Sequence, residues 1–303
     1  MPDTPVPLFL NPAAGRGRAG RRLAGIEQIF AQQGVAVCAV CSRGSGEIET
    51  MVKDHINAGA TKVIVAGGDG SIHEAVNGVL AANTRASLGV IPSGTGNDFA
   101  KACSISLDWE QAADDLARRI AVGAATRKVD VGRMNERYFA NSLGIGFEAK
   151  VTQVARAYRW PIGDLVYLVA ILRCLIDGVA TSEMNIIADG SYEQPAWRGA
   201  ITLASICNGA WVGGMFHMAP MADNADGQLD LLIAAPVTRR RVLALLPRLL
   251  RGRHLQEAEI THRMIRSALI NSTTAVESHL DGEVQPMQAR FDIEILPAAL
   301  DLL

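Results

Sequence analysis

Along the first hundred residues, short apolar runs alternate with segments whose apolar positions recur at helical spacing. Residues 7–10 read as a strand ending in Asn11-Pro12, 17–33 as a helix, 35–41 as a strand and 47–58 as a helix. Residues 61–66 (TKVIVA) are β-branched and apolar, and they run into Gly67-Gly68-Asp69-Gly70. Residues 71–82 place Ile72, Ala75, Val76, Val79 and Leu80 on one helical face. Residues 88–91 are a fourth strand that ends in Pro92-Ser93-Gly94-Thr95-Gly96, and 108–122 add a helix. This rhythm predicts βαβ units on a parallel sheet.

From about residue 124 the texture changes. Strand-like runs at 127–131, 137–142, 184–188, 199–208, 229–234 and 260–270 are separated by turn residues. Helical composition is confined mainly to 149–158, 165–177 and 239–251. The expected architecture is an α/β N-terminal domain with a parallel sheet (1–124) and a C-terminal β-rich, antiparallel, sandwich-like domain (125–291). Residues 292–303 are free to pack back on the first.

Composition narrows the function classes. Apolar residues make up 49% of 303 and charged residues 20%, enough for a large core and too apolar for a disordered chain. With 29 Lys+Arg against 31 Asp+Glu, no chain-wide basic field exists to hold nucleic acid. Trp109, Trp160, Trp197 and Trp211 are scattered rather than arranged as a stacking platform. The first residues lack a secretory pattern, and the apolar stretch 165–176 is interrupted by Arg173 and too short to span a bilayer. A soluble, cytoplasmic protein is expected. The five cysteines carry no disulfide spacing. Cys38 and Cys41 form a C-x-x-C, but on a strand they point to opposite faces, so they read as small buried apolar residues.

Ligands of open α/β sheets sit at the carboxyl ends of the strands. Three such ends carry Gly-rich turns here: Asn11 to Gly15, Gly67 to Gly70, and Pro92 to Gly96. Glycines let backbone N–H groups approach a phosphate, and each following helix adds the positive end of its dipole. An aspartate among such glycines suits Mg²⁺, which neutralises phosphate charge. Asp69 reads either that way or as the N-cap of the helix from Ser71.

Gly67-Gly-Asp-Gly-Ser-Ile-His-Glu74 resembles the GGDGT-x-NE signature of the diacylglycerol kinase catalytic domain family, which includes bacterial soluble lipid kinases and the sphingosine and ceramide kinases. Asn11-Pro12 to Gly15 is similar to the family's NPxSG loop, and Gly94-Thr-Gly-Asn-Asp-Phe-Ala100 to its GTxNDFA stretch. Asn141-Ser-Leu-Gly-Ile-Gly-Phe147, Asn208-Gly209, Ala219-Pro220, Asp226-Gly-Gln-Leu-Asp230 and Leu280-Asp-Gly-Glu283 follow in the family's order. The resemblance spans essentially the whole chain. It implies an ATP-dependent kinase that phosphorylates a lipid hydroxyl, diacylglycerol first among the substrates, with nucleotide in a cleft between two domains.

Residue by residue, the resemblance implies that Asn11, Pro12, Gly15, Gly67, Gly68, Asp69, Gly70, Ser71 and Thr95 line the ATP site, with Ser42 at the place of a nucleotide-contacting Thr. It implies that Asp69 organises Mg²⁺ and the phosphates, and that Glu283 is the general base. Asp281 is a second acidic participant; taken alone, Asp281-Gly282 reads as a hairpin turn. A structural Mg²⁺ is implied at the Asp226 side chain with the carbonyls of Asp223 and Gln228, a set of hard oxygen donors; a metal-free Asp-Gly turn is the other reading. Departures from the pattern are Ser71 for Thr, His73 for Asn, Ala14 for Ser, and Glu148 where Asp is common after Gly-Phe. His279 lies near Asp281 and Glu283 in sequence, with a tuning, surface or core role open.

Residues 239–253 carry six arginines interleaved with Val242, Leu243, Leu245, Leu246, Leu249 and Leu250, and Pro247 is expected to kink or divide that helix. The segment reads either as a basic amphipathic helix lying on an anionic membrane, or as leucines packed on the second domain beneath solvated arginines. Expected partners are the lipid substrate and peripheral contact with a membrane surface, with no nucleic acid, and an exposed strand able to support a homodimer. An NAD kinase, which shares a GGDG loop, and a non-catalytic nucleotide- or lipid-binding regulator are the alternatives.

Overall fold

A computed structural model describes residues 4–158, 163 and 165–303, so Trp160 lies outside the described residues. The chain divides into two compact units, Met1–Val129 with Ala298–Leu303, and Asp130–Pro297.

The first unit contains β1 (Val6–Leu10), α1 (Ala14–Gln32), β2 (Val37–Cys41), α2 (Glu47–Asn57), β3 (Lys62–Gly67), α3 (Asp69–Leu80), β4 (Ser87–Pro92), α4 (Asp98–Ala102) and α5 (Trp109–Ala121). The strands run parallel in the order β4-β3-β1-β2, with Leu8 beside Ile64 and Ile64 beside Gly89. Asp301 and Leu302 pair in parallel with Ser87 and Leu88 at the β4 edge. Leu8, Leu10, Ile64 and Ile91 from the sheet pack with Ile26 and Phe30 of α1 and Leu116 of α5. Gly89 admits α5: a Cβ there would lie 2.7 Å from a Leu116 methyl.

Two consequences of this order matter. The chain leaves β1 towards β2 and returns on the other side of β1 as β3, so the topological switch point lies between the carboxyl ends of β1 and β3. Among the described residues β2, on the edge, pairs only with β1, and both Cys38 and Cys41 on it are exposed free thiols. The expectation that they are buried was wrong, because an edge strand leaves its outer residues to solvent.

The second unit contains most of β5 (Arg127–Met134), β6 (Arg137–Phe139), β7 (Ser142–Gly146), α6 (Phe147–Ala157), α7 (Leu165–Asp177), β8 (Ser182–Ala188), β9 (Trp197–Ile201), β10 (Leu203–Cys207), β11 (Trp211–Val212), β12 (Phe216–His217), β13 (Leu229–Ala234), α8 (Arg239–Leu249), β14 (Ile260–Ile265), β15 (Ser267–Leu280) and most of β16 (Glu283–Leu302), whose last residues belong to the first unit. Antiparallel pairing gives the order β14-β13-β10-β7-β15-β16, with β8 on β15 and β9 on β8. β15 serves two neighbours: Ala268–Ser272 pair with β8, Ser278–Leu280 pair with β7, and its register against β16 shifts between Asn271 and Val276. Phe139, Leu143, Ile145, Ile186, Ile206, Leu231, Ile270 and Phe291 form the apolar interior between these layers.

Several expected strands are subdivided. The run 199–208 breaks at Thr202, whose N–H and hydroxyl bond to the carbonyls of Ala234 and Ala235. The run 137–142 ends at Phe139, and Ser142 begins a new strand. The division between units falls inside β5, later than the expected 124/125, because that strand runs through the boundary.

Candidate functional site

In the first unit the three Gly-rich strand ends meet. A Cβ on Gly15, which has φ +58°, would lie 2.4 Å from the Ser93 carbonyl oxygen, and one on Gly94 would lie 2.5 Å from the Gly68 Cα. Only residues without a Cβ permit this approach. The Ser93 N–H donates to the Gly67 carbonyl at 2.8 Å, and the Asn97 side chain, on a left-handed backbone (φ 52°), accepts from the Gly94 N–H at 3.0 Å. Arg18 clasps the first and third loops: it donates to the carbonyls of Gly15 (2.9 Å) and Gly94 (3.2 Å) and to the Thr95 hydroxyl (3.3 Å). Asn11, Pro12, Gly15, Gly67 to Ser71 and Thr95 therefore belong to one cluster of loops at the switch point. Ser42 sits at the end of β2, its N–H donating to Leu10 and its buried hydroxyl without a hydrogen-bond partner.

Asp69 is not an N-cap. Gly68 holds that position on α3 without a side-chain cap, and Asp69 lies in the first turn, where its carboxylate accepts from the Phe99 N–H at 3.3 Å. The cap reading failed because the helix starts two residues earlier than its apolar pattern indicates. A helix start without a side-chain cap presents its N–H groups and the positive end of its dipole, which suits an anion. Glu74, the last residue of the motif, caps a neighbour instead: it accepts from the N–H groups of Gly46 (2.7 Å) and Ile48 (3.0 Å) at the start of α2. His73 is buried, so its ring faces the interior and not solvent. Arg18 escaped the sequence reading, since one arginine among several near the start of α1 carries no distinguishing pattern.

In the second unit Asp281 and Gly282 form the two-residue turn joining β15 to β16, both with positive φ (49° and 86°), as a type I′ turn requires. The Asp281 carboxylate accepts from the N–H groups of Ala140 (2.9 Å), Asn141 (2.8 Å) and Ser142 (2.9 Å). Three backbone amides thus donate to its two oxygens. Glu283 begins β16 and pairs with Arg156 of α6 at 2.6 Å; Arg156 also donates to the Gly282 carbonyl. His279 is buried, with Nε2 3.2 Å from Glu148 and Nδ1 accepting from the Gly282 N–H at 3.2 Å. Asn208 fixes the same neighbourhood by donating to the carbonyls of Asp130 and Ala140.

The implied metal loop is folded by its own aspartates. Asp226 accepts from the Gln228 N–H and Asp223 from the Ala225 N–H, while Asp130 accepts from Gly227 at 2.7 Å. Burial, and then the charges of Asp223, Asp230 and Asp130, push the Asp226 carboxyl above its ordinary value. Excess negative potential of this kind suits a hard cation. Among the described residues no three His, Cys, Asp or Glu side chains come together to hold a metal, so backbone carbonyls would have to complete the set.

An apolar cavity of about 130 Å³ lies between α6, α7, α8 and β13, lined by Phe147, Val151, Ile171, Phe216, Leu232 and Leu246 among others. Val242, Leu246, Leu249 and Leu250 of α8 pack, partly buried, against α6 and α7, while Leu243 is exposed. The helix continues through Pro247 and ends at Leu249, so the proline does not divide it. Its arginines are partly committed: Arg241 to Glu257 and Glu259, and Arg248 to Glu257. Arg239 and Arg240 remain exposed, and α7 exposes Leu165, Leu172 and Ile176 on one face. Among the described residues no helix is long and apolar enough to cross a membrane.

Residues 5–134 match the diacylglycerol kinase catalytic domain, and residues 141–303 match the YegS C-terminal NAD kinase beta sandwich-like domain. The chain belongs to the diacylglycerol kinase family. A diacylglycerol kinase of Bacillus subtilis (strain 168) is 30% identical over 278 residues, covering 91% of this chain and 88% of that protein. One from Mycobacterium tuberculosis (strain ATCC 25618 / H37Rv) is 29% identical over 304 residues, covering 98% and 94%. A crystal structure from Bacillus anthracis str. Sterne, provisionally named a diacylglycerol kinase, superposes with a TM-score of 0.78 at 25% identity over 98% of this chain and 96% of that one. Family membership makes this chain a kinase and implies ATP as its phosphate donor.

Proposed function

We propose that the protein transfers the γ-phosphoryl group of ATP to a lipid hydroxyl, with diacylglycerol the acceptor and phosphatidic acid the product. The observation that carries this reading is the apolar cavity of the second unit, in a chain whose first unit bears kinase loops. A nucleotide acceptor such as NAD is polar and multiply charged, and it finds few partners in a wall of Phe, Val, Leu and Ile.

Phosphoryl transfer is mainly positioning and charge stabilisation. The crowded glycines and uncapped α3 start suit backbone N–H contacts to phosphate, and Arg18 holds two of the loops in register. Asp69 offers hard oxygen to Mg²⁺ beside those loops; Mg²⁺, when bound, supplies neutralisation of phosphate charge. Glu283 takes the proton from the attacking hydroxyl, with Arg156 aligning its carboxylate. Asp281 shapes the turn that carries Glu283. The exposed leucines of α7, near Arg239 at the end of that helix, support peripheral contact with an anionic membrane.

The test is phosphoryl transfer from radiolabelled ATP to a panel of diacylglycerol, sphingosine, phosphatidylglycerol and NAD. Labelled phosphatidic acid is expected. Labelled NADP with no labelled lipid would replace this reading with the nucleotide kinase, and no product with any acceptor would favour a binding regulator.

A further inference from the structure

Glu148, the first-turn residue of α6 that departs from the family's aspartate, has an arrangement that neither the fold nor the proton transfer requires. It is only 8% exposed, and it lines the apolar cavity. One of its oxygens, Oε1, lies 3.2 Å from His279 Nε2; the other, Oε2, is buried without a hydrogen-bond partner.

The roles within the pair follow from the turn beside it. The Gly282 N–H donates to His279 Nδ1, so that nitrogen is an acceptor. In the neutral ring Nε2 then carries the proton and donates it to Glu148 Oε1. The histidine satisfies one carboxylate oxygen and can do nothing for the other. The pair also has reserved space: Gly144 stands opposite His279 in the β7–β15 register, and a Cβ there would lie 2.4 Å from His279 Nε2 and 2.7 Å from Glu148 Cδ. Any side chain at 144 would drive the two apart.

A carboxylate oxygen buried without a donor is costly, and a ligand group that donates to it recovers that cost. We propose that Glu148 Oε2 accepts a hydrogen bond from a hydroxyl at the polar end of a lipid whose chain enters the cavity. Glu148 is then the specificity residue for the acceptor, and His279 is its positioning residue, fixed to the same turn that carries Glu283. This rests on the lipid kinase reading for the identity of the ligand but not for the site. An apolar cavity whose wall holds few polar groups, Glu148 and the buried His254 among them, selects molecules that are apolar along their length and donate at one end. It rejects the same molecule with its hydroxyl capped, because the oxygen stays unsatisfied.

Direct binding keeps this inference separate from catalysis. Glu148→Gln is the informative variant: its amide oxygen still accepts from His279, while its NH₂ replaces the free acceptor with a donor. Binding of 1,2-dioctanoylglycerol and of its O-acetylated counterpart to the full chain is measured by titration without ATP. The wild type is expected to prefer the free hydroxyl by roughly ten- to a hundredfold, as for a hydrogen bond to a charged acceptor. In Glu148→Gln the preference should vanish while the acetylated lipid binds as before and the melting temperature holds. Where turnover is measurable, KM for the lipid should rise and KM for ATP should not. Retained hydroxyl preference in a folded Glu148→Gln would overturn the assignment, as would equal wild-type affinity for both lipids. Lipid phosphorylation alongside either result would leave the kinase reading intact and sink only the role of Glu148. Gly144→Ala supplies a second variant, expected to lose the same preference by displacing the pair; unchanged discrimination there also counts against the proposal.

Discussion

Replacing Asp281 separates a positioning carboxylate from a catalytic one. In Asp281→Ala the N–H groups of Ala140, Asn141 and Ser142 lose acceptors at 2.9, 2.8 and 2.9 Å. A hydrogen bond to a charged acceptor in a partly buried setting contributes about 1–2 kcal/mol net, so three sum to about 3–6 kcal/mol. Alanine also tolerates the positive φ of 49° less well than aspartate, adding up to about 1 kcal/mol. For a unit of this size that corresponds to a fall in melting temperature of about 10–20 °C. Asp281→Asn should lie between the two. Its oxygen can keep the Asn141 and Ser142 bonds, but its NH₂ faces the Ala140 N–H donor to donor. The assay is thermal unfolding followed by circular dichroism, alongside kcat below the transition. The expected order of stability is wild type, then Asn, then Ala, with activity falling in step as the Glu283 turn loosens. If Asp281→Ala melts within about 2 °C of wild type while kcat collapses, the carboxylate acts on the reaction and the reasoning fails.

Asp69→Asn should lose most phosphoryl transfer at saturating Mg²⁺ with an unchanged melting temperature; near-wild-type turnover in the folded variant would reduce Asp69 to its bond with Phe99. Glu283→Gln should lower kcat by roughly 10²–10⁴-fold with little change in ATP binding, and an unchanged kcat would take proton transfer away from it. Because the Asp226 carboxyl is raised, the folded protein binds a proton there more tightly than the unfolded chain. Its contribution to stability therefore decreases as pH rises from the ordinary 3.8 through the raised folded value, and Asp226→Asn should flatten that slope in chemical denaturation. Added Mg²⁺ should restore stability above that window in wild type and not in the variant; equal responses would reject a cation site. Arg239→Gln with Arg240→Gln, or Leu172→Asp with Ile176→Asp, should weaken sedimentation with anionic vesicles, the arginine loss shrinking as salt rises. Unchanged sedimentation at low salt would leave this face without a membrane role.

Much of this protein is legible in one dimension because its signals are local. Alternating apolar and helical segments over the first hundred residues determine a parallel sheet, since βαβ connections leave few other solutions, and glycines at successive strand ends mark the side where a ligand binds. Contacts between distant segments are another matter. That β2 is an edge strand, exposing Cys38 and Cys41, depends on strand order, which residue spacing does not encode. Asp281 reads as a turn or as an acid with equal ease until three amides some 140 residues away are seen to hold its oxygens. Glu74 belongs to a phosphate-loop motif yet caps α2, and the arginines of α8 look uniformly solvated until Glu257 and Glu259 are folded against two of them. Glu148 is the sharpest case. Its neighbours in sequence mark a helix start, and only the packing of β7, β15 and α6 around one apolar cavity leaves a single carboxylate oxygen without a partner, because burial and hydrogen-bond satisfaction belong to the folded chain.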